Sequence, residues 1–145
     1  MSIELSEPIR EIRQRVQNFI EERVYPVEGL FDGGRTPESE EALRDRMAQA
    51  KEAGLWALGH PEEVGGQGLP FLDYVFVNEV VGRSEIATVA LGTHSLQDSI
   101  MLMEFASPRW RDQYLKPLVA GEIFPSFAMT EPDVASSDAT QIQTQ

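Results

Sequence analysis

Ile9, Ile12, Val16, Phe19, Ile20 and Val24 fall at steps of three or four, so this part of the chain can bury them together only as one stripe of a helix. The same period returns at Leu43, Met47 and Ala50, and helical stretches follow over about 71–82, 86–105 and 108–120. Five helices are therefore predicted. Ser6 stands where an N-cap belongs, Pro8 suits the first turn, and Pro26 is expected to end the first helix. The residues from Gly29 to Pro37, with three glycines and a proline, read as a connector. The second helix starts near Pro37, and Gly54 is placed as the left-handed residue that stops it. The stretch from Pro61 to Pro70 holds Gly65, Gly66 and Gly68, too much glycine for a regular element. The third helix is expected from Phe71 to Gly82, and the fourth as one long apolar helix from Ile86 to Phe105. The fifth runs from Pro108 to Ala120 and stops at Gly121. Only then does the pattern change: Ile123 to Met129 is short, aromatic-rich and flanked by turn formers, which predicts a strand.

The fold class is thus mainly α. One strand without a partner is not stable in water, so the sheet it belongs to is expected beyond Gln145. This divides the chain into an all-α domain, 1–122, and the opening of a truncated β-domain, 123–145. A length of 145 residues suits one ordinary domain. Twelve basic residues against twenty-four acidic ones give a net charge of −12, a field that repels nucleic acid and anionic membrane surfaces. Cysteine is absent, which excludes disulfides, thiolate catalysis and zinc–thiolate sites. Met1 to Leu5 has neither a basic nor an apolar leader pattern, and no run approaches the length of a membrane span. A soluble, cytoplasmic protein is expected.

The candidate chemistry lies near the end. Phe127-Ala-Met-Thr-Glu-Pro132 passes from an apolar run through a Thr-Glu-Pro turn into Asp133-Val-Ala-Ser-Ser-Asp138. A strand that delivers hydrogen-bond donors to an anionic or heteroaromatic ligand has this order. Any strand-to-loop turn that caps its own amides has it as well. His60 and His94 are far apart and lack ligand-spaced carboxylates, so they read as structural and no metal site is expected. The glycines at 65, 66 and 68 make no phosphate loop, since no Gly-Lys-Ser/Thr follows. Glu62, Glu63, Glu79 and Glu131 invite a general-base reading, whereas the acidic run from Glu38 to Glu41 reads as a solvated helix start.

Four segments in order carry a family resemblance. Phe127-Ala-Met-Thr-Glu-Pro132 with Ser137-Asp138 resembles the first motif of the acyl-CoA dehydrogenases. Gly54-Leu-Trp-Ala-Leu-Gly-His-Pro-Glu-Glu-Val-Gly-Gly-Gln-Gly68 resembles the family's Gly-Leu…Pro-Glu-Glu-x-Gly-Gly-x-Gly loop. Tyr74 to Ser84 resembles the helix that follows, and Tyr114 to Glu122 the approach to the strand. The chain departs from the usual Thr-Glu-Pro-Gly-Ala-Gly-Ser-Asp by one extra residue and by having no glycine between Pro132 and Asp138. That form is similar to the subgroup of larger members related to human members ten and eleven. Ala106 and Trp110 stand where glycine and glutamine are often seen, and these departures bear on loop shape and acyl preference.

The resemblance implies the N-terminal part of an FAD-dependent enzyme that oxidises acyl-CoA thioesters at the α,β carbons in fatty-acid metabolism. It implies Phe127, Met129, Thr130 and Ser137 as cofactor-binding residues. Thr130 would give a hydroxyl, and the amides of Met129 and Thr130 would complete a donor set at the flavin pyrimidine edge. Phe127 would pack beside the ring, and Ser137 would face the pyrophosphate or the pantetheine of CoA. Leu96, Ile100 and Met103 are implied as acyl-chain contacts, with plain helix core as the alternative. The family's catalytic base comes from a C-terminal helical domain, so no catalytic residue is expected in this fragment. An electron-transfer-flavoprotein-like acceptor and a homo-oligomer are implied partners. The alternatives are a stand-alone helical binding or assembly module, or an acyl-CoA oxidase or flavin monooxygenase relative.

Overall fold

A computed structural model describes residues 4–126, 128, 130–132 and 139–143. The first helix, α1 (Glu7–Phe19), does not stop before Pro26. It widens into a π turn over Ile20–Val24 and continues as α2 (Tyr25–Glu28) and a 3-10 turn, Gly29–Phe31. The reason lies in the proline itself. Its ring would collide with the carbonyl four residues back and it offers no N–H, so a wider turn ahead of it lets the helix pass. The Tyr25 N–H accordingly reaches five residues back to the Ile20 carbonyl. The same solution recurs where α7 (Pro108–Trp110) passes through a π turn, Arg111–Leu115, into α8 (Lys116–Ala120), which contains Pro117. Ser6 takes the N-cap position through its backbone alone, its carbonyl accepting the Arg10 N–H at 3.0 Å.

Between these lie α3 (Pro37–Glu52), α4 (Phe71–Val81), α5 (Glu85–Ala90) and α6 (Leu96–Phe105). Thr36 and Ser39 form a reciprocal capping box at the start of α3, with bonds of 3.2 and 2.9 Å. Its end is a Schellman motif: Gly54, at φ +65°, donates to Lys51 and Leu55 donates to Ala50. Helix α1 packs along α4, and α3 packs on α5. Val16, Phe19, Ile20 and Val24 meet Leu43, Met47 and Ala50, and Val77, Val80 and Val81, in one continuous core. Trp56 lies in its middle, donating from Nε1 to the Val119 carbonyl at 2.8 Å.

The expected long helix from Ile86 to Phe105 is broken. The chain leaves α5 at Ala90, turns left-handed at Gly92 (φ +69°), makes a 3-10 turn over Thr93–Ser95 and only then enters α6. Two contacts enforce the break. The Leu91 carbonyl is taken by the Ala57 N–H at 2.9 Å, and a Cβ on Gly92 would lie 2.7 Å from the Trp56 indole. Nor is there a strand over 123–129 among the described residues; Phe127 and Met129 lie outside them. A ladder needs a neighbouring strand, and the sequence offers no second strand candidate. Among the described residues no helix is long and apolar enough to cross a membrane.

Candidate functional site

The irregular stretch between α3 and α4 organises the site. Leu55, Trp56, Ala57 and Leu58 are buried, and Ala57 sits at φ +52°, a left-handed conformation unusual for alanine. Its carbonyl accepts the N–H groups of His60 (3.0 Å) and Gln67 (3.2 Å), while Leu69 donates to Leu58 (2.9 Å). The glycines of this loop serve that close backbone packing. A Cβ on Gly66 would lie 2.0 Å from the His60 carbonyl oxygen, so no other residue fits without moving the backbone. The folded-back loop holds His60 in the interior, where Nε2 pairs with Ser95 Oγ at 3.1 Å. Burial is the main force on this imidazole and lowers its pKa to about 4, against a smaller upward pull from the Ser95 backbone.

Ser95 stands just before α6, and a groove of about 500 Å³ lies between α4 and the start of α6. Phe71, Tyr74 and Asn78 of α4 form one wall. Thr93, His94, Leu96 and Ile100 form much of the other. The Tyr74 hydroxyl donates to Asn78 Oδ1 at 3.1 Å, and burial pushes the phenol pKa up. At Met101 the groove meets a second, more apolar one of about 450 Å³, which Phe105 and Trp110 line. Phe71, Leu72, Phe105 and Trp110 are all more than half exposed. A contiguous apolar surface of this kind marks a place where something docks.

Of the residues singled out in the sequence, Leu96 and Ile100 line the first groove. Met103, half-buried and packed against the core as Leu96 also is, does not line this groove. Thr130 is exposed, and its hydroxyl makes no hydrogen bond among the described residues. Phe127, Met129 and Ser137 lie outside the described residues. Of the acidic candidates, Glu131 is half-buried and accepts the Gln143 N–H at 3.0 and 3.2 Å. Glu79 is tied to Arg13 and Arg83 on the surface.

One further cluster has no signature in the sequence. His94 stacks on Phe124 with ring centroids 5.4 Å apart, and the Arg35 guanidinium lies 5.6 Å from the same Phe124 ring. Positions 35, 94 and 124 share no local pattern, so only the fold brings them together. Burial holds the His94 imidazolium below its ordinary range. The Thr88 backbone pulls the other way, but neither ring nitrogen finds a partner with hydrogen-bond geometry. Tyr74 and Asn78 left a fainter signal: polar groups four residues apart in an apolar helix.

Comparison with known proteins gives a consistent answer. The family described as "Acyl-CoA dehydrogenase, N-terminal domain" matches residues 6–122. "Acyl-CoA dehydrogenase family member 10" of Mus musculus is 32% identical over 96% of this chain, which spans 14% of that protein. "Probable acyl-CoA dehydrogenase FadE2" of Mycobacterium tuberculosis is 35% identical over 99% of the chain, and 37% of its own length is covered. A solved Mycobacterium abscessus structure assigned to the acyl-CoA dehydrogenases superposes with a TM-score of 0.78 at 32% identity, over 95% of this chain and 38% of that one. The chain therefore spans well under half the length of these relatives. By its helical bundle and by the match over residues 6–122, it belongs to the acyl-CoA dehydrogenase family.

Proposed function

We propose that the protein to which this domain belongs is an FAD-dependent acyl-CoA dehydrogenase, acting in the cytoplasm on the α,β carbons of an acyl thioester. The observation that carries the reading is the family match over residues 6–122, with Thr130 following in its Thr-Glu-Pro setting. The residues present suit the cofactor: Thr130 offers an exposed hydroxyl that no neighbour among the described residues occupies. The flavin, when bound, supplies the hydride acceptor for the β-hydrogen. This chain's part is to bind and orient. Thr130, with the amides of Met129 and Thr130, would donate to the pyrimidine edge, where negative charge develops on reduction. Phe127 would pack beside the ring, and Ser137 would face the pyrophosphate or the pantetheine.

The groove between α4 and α6 would form one wall for the acyl chain, with Leu96 and Ile100 in contact and Met103 supporting from the core side. No carboxylate of this chain is assigned the α-proton; that base is proposed to come from another domain. The exposed apolar surface at Phe71, Met101, Phe105 and Trp110 suits a domain that is covered in a larger enzyme. A homo-oligomer and an electron-transfer-flavoprotein-like acceptor complete the proposal. The test is to purify the full reading frame and add acyl-CoA. Flavin absorbance that bleaches on addition is expected, and a colourless protein that takes up no FAD on refolding would overturn the reading.

A further inference from the structure

Among the described residues, the chain leaving the bundle makes few backbone hydrogen bonds, and this gives Phe124 a role of its own. After α8 the chain turns at Gly121, and the Glu122 N–H closes the helix on Pro117 at 2.9 Å. From Ile123 to Ser126 no backbone hydrogen bond forms among the described residues. The Phe124 side chain ties this segment to the bundle, in contact with His94 from the turn before α6 and with Arg35 from the loop before α3. Both His94 ring nitrogens are buried and unpartnered. A neutral ring tolerates that position at some cost. An imidazolium would bury two charged N–H groups there, neither with a partner in hydrogen-bond geometry, although the Thr88 backbone lies near.

We propose that Phe124, seated on the neutral His94 ring, is an acid-sensitive anchor that fixes the course of the chain toward Thr130. The charges around His94 set the direction of the response. Burial is the main force against a proton on it and Arg35 adds to that, while the Thr88 backbone and Asp98 of α6 favour one. His60 lies near enough to couple, and Tyr74 lines the same groove from α4. The anchor is complete above the ordinary histidine value of 6.5 and is lost as the pH falls below it, because the ring must leave its slot to be protonated and hydrated. Burial also holds His60 neutral, its pKa lowered to about 4. The inference does not depend on the flavin reading.

Nuclear magnetic resonance of the labelled chain between pH 8 and pH 4.5 tests it. The His94 ring protons and the amides of Ile123, Phe124 and Ser126 are expected to move together, with one midpoint below 6.5. In His94→Phe, which keeps a flat ring and removes the titrating group, the segment should stay in place across the range. In Phe124→Ala the segment should be released at every pH, and the His94 midpoint should rise toward 6.5. Far-ultraviolet circular dichroism confirms that each variant is folded; if His94→Phe is not, the Phe124→Ala midpoint decides alone. A transition of the segment that persists in His94→Phe would overturn the proposal. So would a His94 titration that leaves residues 123–126 unmoved, or a midpoint unchanged by Phe124→Ala.

Discussion

The first helix carries few apolar residues and buries most of them, whereas α6 carries more and leaves several exposed. The run from α1 through its π turn buries Ile9, Val16, Phe19, Ile20 and Val24. In α6 the one fully buried residue is Ser99, whose hydroxyl donates to the Ser95 carbonyl at 2.7 Å. Ile100, Met101 and Phe105 of α6 are left exposed, Phe105 by 81%. Apolar content is therefore a poor guide to core membership. A helix that lines a groove needs the same residues as a helix that fills a core, because both exclude water from one face.

Substitutions on the two sides should separate stability from function. The largest effect is expected at Trp56, whose indole lies against Gly92 and Gly121 and bonds to Val119. Trp56→Ala should lower the unfolding free energy by about 3–5 kcal/mol in urea titration. Acid should attack the same side of the molecule next. His60 is buried neutral with its pKa lowered to about 4, so its contribution is complete above 6.5 and is lost as the pH falls from 6.5 toward 4. The loss is on the order of 3 kcal/mol by the lower limit. His60→Gln should flatten the slope of stability against pH in that window; an unchanged slope would refute the assignment.

Thr130 provides the opposite test, since it is exposed and supports nothing in the bundle. On the proposed function, Thr130→Val in the full-length protein should slow flavin reduction by roughly tenfold to a hundredfold in stopped-flow absorbance. Its melting temperature should barely move. Thr36→Ala removes one half of the α3 capping box and should cost about 1 kcal/mol. The smallest effect on folding belongs to Phe105→Ala, within about 0.5 kcal/mol in the isolated domain. A large loss of stability there would show that the surface around α6 is core after all.

The helical period located most of the bundle because a buried stripe must repeat every three to four residues wherever the helix packs. It marked α3, its Gly54 stop and α4 within a residue or two. It failed at Pro26 and at Gly92. A proline normally ends a helix, but a π turn ahead of it removes the clash. At Gly92 an apolar run that looked continuous is cut by a hydrogen bond from Ala57, thirty-four residues earlier than Leu91 in the chain.

The candidate site divides along the same line. Leu96 and Ile100 were reachable from the sequence because their order relative to the other family-like segments is local information. Met103 shares the helix face of Leu96 and Ile100, packs against the core as Leu96 does, and does not line the groove. The contact of Arg35, Phe124 and His94 had no sequence signature at all.

By itself, then, the sequence determined the helical class, the glycine stops at Gly54 and Gly121 and the family, all of which rest on short-range period and motif order. Tertiary structure alone decided which apolar faces are covered, where α5 breaks from α6, and which histidine meets Phe124. Those outcomes depend on packing and hydrogen bonds between residues far apart in the chain, whose energies no local pattern encodes.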